Sequence, residues 1–374
     1  MGCVFLISLI AVFLTFLQIY EQERLEESSR DLTIWMQSFR NPIFDIFFEI
    51  IGEITSVCCI VIAGTLYLIG NRETGLIGLI ASLFGVALSG FLKILFGHPR
   101  PFWKYSEIKG IQCPEDFGTP SAHALSAGAG LLVLGIMWLR SGNQNSKKVM
   151  IMLCGLMITA IDRIFLGAHF YFQVILGYIF AGLVASIVLH PKVYAWIYKI
   201  PNDISVVIKS HIIMIGFIAA SIITAFYRKS KWNDSWSINF QVQCGNELTV
   251  NDAVYENFTD AALVCLVAGM IMGLFILKEK EKPKFSYGLV FLSMFFNVGI
   301  MGTMKVSDIL IIKFTDDFWR ILLICTLHYC CGVIHCYLTP VIINFLHIAK
   351  TPAKEFLKLQ ELEKCEIIEN KKEL

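Results

Sequence analysis

Apolar runs of membrane-crossing length, separated by short polar stretches, dominate the pattern along the chain. They lie at about residues 53–70, 75–96, 122–139, 149–166 and 170–189, and again at about 211–227, 260–277, 285–304 and 318–346. Each approaches the roughly 20 residues that a helix needs to cross a bilayer. A further run, Cys3 to Tyr20, precedes a highly charged stretch from Glu21 to Arg30 and is either a first span or a signal sequence. No small-x-small cleavage site is evident after it, which favours a retained span. Between Asp31 and Ile50, Trp35, Phe39, Ile43, Phe44, Phe47 and Phe48 alternate with Arg40, Asp45 and Glu49, predicting an interfacial helix broken at Asn41-Pro42. The expected fold is all-α, a multispanning membrane helical bundle of about ten spans.

Composition points the same way. The 374 residues are 56% hydrophobic and only 16% charged, against about 25% charged in soluble domains. A net charge of +1 leaves no electrostatic footprint for nucleic acid, which excludes that class of partner. Of the 12 cysteines, Cys58, Cys59, Cys154, Cys265, Cys325, Cys330, Cys331 and Cys336 fall within spans, where a thiol behaves as a small apolar group. Cys330-Cys331 with His328 and His335 reads as helix packing rather than a metal site. Gly2-Cys3 hints at acylation, but Leu6 stands where a myristoylation signal wants Ser or Thr.

Candidate chemistry sits at the ends of the apolar runs. The chain reads Lys-Ile-Leu-Phe-Gly-His-Pro-Arg-Pro from Lys93, Thr-Pro-Ser-Ala-His from Thr119, and Asp-Arg-Ile-Phe-Leu-Gly-Ala-His-Phe-Tyr-Phe-Gln from Asp162. Cations at such depth cost about 2.5–3.5 kcal/mol each in hydrocarbon, so they mark a site facing water or a polar cavity. Lys93, Arg100 and Arg163 with His123 and His169 describe a pocket for a phosphate-sized anion. Lys93 supplies a point charge and Arg100 can grip two phosphate oxygens. Thr119-Pro120 predicts a helix start that aims the N–H groups of Ala122 and His123 and the Ser121 hydroxyl at the anion. Gln173, four residues after His169, shares its helical face and is placed to accept the imidazole's second N–H. Lys104 and Lys109 read as snorkelling anchors, and His98 as a loop residue. Phe102 and Trp103 suit either a substrate entrance or an aromatic belt.

Taken in order, these three pieces resemble the signature of the type 2 phosphatidic acid phosphatases, a superfamily that includes glucose-6-phosphatases, sphingoid-base phosphatases and vanadium haloperoxidases. The resemblance spans about Asn41 to Ile187. It implies a phosphatidic-acid-phosphatase-like helical core in which His169 attacks phosphorus to form a phosphohistidine, His123 protonates the leaving oxygen and Arg163 completes the cradle. Three positions depart from the pattern: Ala122 replaces the usual Gly, Asp162 the usual Ser, and Gln173 the usual Asp, as in some glucose-6-phosphatases. Asp162 pairs with another cation of the site or ties down a backbone amide; the sequence does not choose.

Orientation is argued from charge. With the site lumenal, the lysines of 192–209 and 278–284 and the segment 140–148 are cytosolic, as the positive-inside rule prefers, although Arg228, Lys229 and Lys231 oppose it. The sequons at Asn233 and Asn257 then share a lumenal loop. Only Cys113 and Cys244 lie in lumenal loops, which predicts a disulfide between them. Lys371-Lys372 falls in the cytosol and resembles the dilysine signal that coat proteins read on endoplasmic reticulum membrane proteins. The expected organisation is an N-terminal span and charged lumenal segment (1–30), a phosphatase core (31–190), an additional transmembrane bundle (191–348) and a cytosolic tail (349–374). The expected function is a metal-independent, cofactor-free phosphatase of the endoplasmic reticulum membrane, a glycoprotein in contact with membrane lipids. Lipid phosphate, either sphingoid-base phosphate or phosphatidate, stands slightly ahead of glucose 6-phosphate as substrate. A catalytically silent lipid-phosphate-binding or scaffold protein is the third reading.

Overall fold

Asn41 ends one helix and starts the next: its side chain accepts the backbone N–H of Ile43 and Phe44, and Pro42 behind it has no N–H to satisfy. This junction is the predicted break, but the chain beyond it is not a separate interfacial segment. The helix runs unbroken to Leu68, so the span expected from Glu53 begins at Pro42. The computed structural model describes residues 21–69, 71–140, 146–229, 232–277, 287–314 and 317–342. The first apolar run, Gly2-Cys3, Lys231, the lysines of 278–284 and the C-terminal dilysine lie outside the described residues.

In chain order the helices are α1 (Gln22–Gln37), α2 (Pro42–Leu68), α3 (Arg72–Phe96), the single turn α4 (Pro101–Lys104), α5 (Ala122–Arg140), α6 (Ser146–Phe165) and α7 (Tyr171–Val188). They continue with α8 (Pro191–Tyr198), α9 (Ile204–Lys229), α10 (Asp234–Cys244), α11 (Val250–Ala261), α12 (Leu263–Leu277), α13 (Tyr287–Phe314) and α14 (Asp317–Val333), the last running into a π-helical turn at Ile334–Leu338. No strand occurs among the described residues. Among the described residues, eight helical stretches are long and apolar enough to cross a membrane. The helix α6 covers the run predicted at 149–166 but is not among them, because Lys147 and Lys148 at one end and Asp162 and Arg163 at the other leave too short an uncharged interval.

The centre of the bundle is apolar, with Tyr67, Leu79, Leu83, Leu125, Val133, Val184 and Met270 in one buried cluster. Glycines let backbones approach where lipid provides no hydrophobic drive between helices. Gly90 of α3 lies against the Asn257 carbonyl of α11, and Gly269 of α12 against the Tyr329 carbonyl of α14. The packing of α11 on α3 corrects the sequon at Asn257. That side chain is 0% exposed and donates to Ala253 O, so a glycan has no room there. Asn233, at the N-cap of α10, is exposed. Lys104 is not a lipid anchor; its ammonium pairs with Glu26 of α1, a carboxylate only 1% exposed.

Candidate active site

Lys93 reaches the site because α3 stops one turn after it. Gly97 takes the left-handed conformation (φ 59°) that ends the helix, and its N–H bonds the Lys93 carbonyl at 2.8 Å. The chain then turns through Pro99 to Arg100, which lies just ahead of α4 and is buried with Lys93. Both cations meet a residue that no motif contains. The Asp116 carboxylate pairs with Lys93 Nζ and with Arg100 Nη2, and Arg100 Nε donates to the Asp116 carbonyl at 2.6 Å. Burial pushes the Asp116 carboxyl up, but Arg100 and Lys93 more than offset it and hold it well below the usual carboxylate range. Asp116 sits in a polar loop at no signature position, so its charge was the only signal in the sequence.

Arg100 also points at His169. Its Nη1 donates to Ala168 O at 2.7 Å and lies 3.2 Å from His169 Nε2. A guanidinium can only donate and a carbonyl can only accept, so these partners fix the tautomer. The Gly118 carbonyl, 2.8 Å from Nδ1, takes the ring proton, and the lone pair is left on Nε2. Burial first, then Arg100, Lys93 and Arg163, hold the imidazole well below its ordinary pKa, so it stays unprotonated. Gln173 Oε1 is a second, longer acceptor for Nδ1 at 3.3 Å. It also accepts the Phe170 N–H at 3.1 Å, while Nε2 donates to Pro99 O at 3.1 Å and the Gln173 carbonyl accepts the Ser121 N–H at 3.0 Å. The residue expected to orient the nucleophile thus also ties together the segments that carry all three motifs.

A pH test separates those duties. Gln173→Asp adds an anion near Nδ1 that favours the protonated imidazole, so the acidic limb of the activity profile moves upward while turnover persists. Gln173→Leu removes the longer bond but leaves Gly118 in place, and lowers kcat by about tenfold with KM little changed. A leucine variant with full activity and an unchanged profile would show that Gln173 does not act on His169.

On the other wall, Arg163 Nη1 lies 3.3 Å from His123 Nε2 and 3.4 Å from Gln112 Oε1. Asp162 holds this arginine from behind, accepting Nε at 2.8 Å and the Thr55 hydroxyl at 3.2 Å. The sequence offered Asp162 another cation of the site or a backbone amide; the structure instead pairs its carboxylate with its own chain neighbour, Arg163. Helix α5 begins at Ala122, later than Thr119-Pro120 predicted. Ser121 Oγ is the capping acceptor, 3.4 Å from the Ala124 N–H, a bond that uses the oxygen and leaves the hydroxyl proton to donate elsewhere. The N–H groups of Ala122 and His123 remain first-turn donors with no acceptor inside the helix.

Gly52 of α2 touches the Arg163 guanidinium so closely that a Cβ there would collide with Nη2. Asp162 and Thr55 restrict any retreat. Gly52→Ala is expected to lower kcat/KM by about ten- to a hundredfold through misplacement of the guanidinium alone. Kinetics together with an unchanged melting temperature would test this, and wild-type kinetics would refute it.

A clamp from the far half of the chain holds the loop between α4 and α5. Gln243 of α10 donates to Ile108 O at 2.7 Å and accepts the Gly110 N–H at 3.0 Å, and Asn239 donates to Trp103 O at 3.0 Å. Cys113 and Cys244 form a disulfide, with Cα atoms 5.9 Å apart. Trp103 packs against Phe117, Trp232, Trp236 and Phe240. Phe102 and Trp103 are both 0% exposed, so they form the clamp's core and neither an entrance nor a membrane belt. Among the described residues no group of three or more His, Cys, Asp or Glu side chains is arranged to hold a metal ion.

The sequence pattern of the PAP2 superfamily matches residues 74–197, which carry all these motif residues. Over 154 residues the chain is 30% identical to glucose-6-phosphatase catalytic subunit 1 of Haplochromis nubilus. The similarity covers 34% of this chain and 43% of that relative, less than half of either. No solved structure matches the chain.

Proposed function

We propose that this chain, whose residues 74–197 match the PAP2 superfamily, hydrolyses phosphomonoesters through a phosphohistidine on His169, with no metal ion. The observation that carries the reading is His169 itself: its Nε2 lone pair faces the Arg100 guanidinium at 3.2 Å while Gly118 holds the proton on Nδ1. Lys93, Arg100 and Arg163 bind the phosphoryl oxygens with the N–H groups of Ala122 and His123. The lone pair forms the N–P bond as the P–O bond to the leaving group breaks, and His123 gives that oxygen its proton. Water then cleaves the phosphohistidine and releases inorganic phosphate. Electrostatic stabilisation by fixed cations supplies most of the rate.

Lipid phosphate leads as substrate. A cleft of about 280 Å³ lies between α1 and α2, lined by Trp35, Met36, Phe39, Phe44, Phe47, Phe48 and Phe165. Phe48 is one helical turn from Gly52, which touches Arg163, so an alkyl chain in the cleft would leave its headgroup beside the cradle. The second reading, a sugar phosphate, is favoured by the name of the Haplochromis nubilus relative. Site and disulfide lumenal, endoplasmic reticulum residence and use of Asn233 as a glycan acceptor belong to the same proposal, supported by the lysines of 192–209 and by the exposure of Asn233. Phosphate release from sphingoid-base phosphate, phosphatidate and glucose 6-phosphate by purified protein tests it. Faster turnover of glucose 6-phosphate would overturn the lipid assignment, and release from none would return the chain to a binding or scaffold role.

A further inference from the structure

We propose that Asp116 is a built-in counter-anion of the phosphate cradle, which weakens the site's hold on phosphate and so promotes product release. The inference rests on the phosphatase reading above. Lys93 and Arg100 are the two cations of the first motif, and one carboxylate from a different loop pairs with both. The backbone presenting it is anchored on each side. The Asp116 carbonyl accepts Arg100 Nε at 2.6 Å, the Gly118 N–H donates to His98 O at 2.8 Å, and the Cys113–Cys244 disulfide precedes it by three residues.

The second carboxylate of the site behaves differently. Asp162 takes Arg163 by Nε, leaving Nη1 directed at His123 and Gln112, so it orients the guanidinium from behind. Asp116 occupies Lys93 Nζ and Arg100 Nη2, donors that a phosphoryl group would use. A substrate dianion and Asp116 must therefore share the same cations, and their mutual repulsion lowers affinity. Substrate offsets this with contacts from its remaining atoms. Inorganic phosphate, which has none, leaves.

Full-length protein purified in detergent, as wild type and as Asp116→Asn and Asp116→Ala, provides the test. The readouts are the inhibition constants of inorganic phosphate and vanadate and the protection of each protein against thermal unfolding by vanadate. Removing a unit charge this close is expected to tighten both anions by about tenfold or more, with KM falling alongside. A residue that only aligns Lys93 and Arg100 would give the reverse, so unchanged or weaker anion binding in folded variants, with wild-type turnover intact, overturns this proposal alone. Absence of turnover and of anion binding in wild type and variants overturns the phosphatase reading and the proposal together. If Asp116→Asn fails to fold, Asp116→Ala and Asp116→Ser carry the same comparison.

Discussion

His169→Ala is expected to abolish turnover, lowering kcat by about four orders of magnitude or more, and to eliminate any phosphoenzyme trapped by acid quenching of labelled substrate. The size reflects what the imidazole does. In the proposed mechanism it supplies the electron pair for the N–P bond, and no neighbouring group can replace it. Arg100 and Ala168 hold nothing nucleophilic toward the cradle, and His123 is tied to the other arginine at 3.3 Å. Anion affinity should survive, because Lys93, Arg100 and Arg163 are untouched, so vanadate protection against heat serves as the folding control. A phosphoenzyme persisting in His169→Ala would rule the assignment out.

For His123→Ala the expected loss depends on the leaving group. With an alkyl phosphate the departing alkoxide needs a proton, and kcat falls by about 10²–10⁴. With p-nitrophenyl phosphate the phenolate leaves unassisted, and most of that loss disappears. The phosphoenzyme should form with the activated ester and turn over at a reduced rate, if the same imidazole also activates the attacking water in the proposed mechanism. Equal losses for both esters would remove His123 from the general-acid role and leave it as a partner of Arg163.

Much of the fold was legible because membrane insertion imposes a constraint that sequence alone reveals: apolar runs of span length must be helices, since lipid offers their backbone no other partner. Errors arose at the ends, where polarity and helicity part company. α2 extends back to Pro42 through charged residues because Asn41 caps it. α5 starts at Ala122 because Ser121, rather than Thr119, supplies the capping oxygen. The sequon at Asn257 was a local string blind to the fact that α11 is buried against α3.

By itself, the sequence determined the helical membrane class and the three cations and two imidazoles of the site, because charges at span ends are too costly to be incidental and because their spacing matched a known signature. Tertiary structure alone decided what those charges face. Asp116 joins Lys93 to Arg100, the Gly118 carbonyl sets the His169 tautomer, and α10 clamps the site loop from more than a hundred residues away. Each is a contact between segments distant along the chain. Hydrophobic periodicity and motif spacing describe one segment at a time, whereas a hydrogen bond or ion pair depends on where folding brings its two halves together.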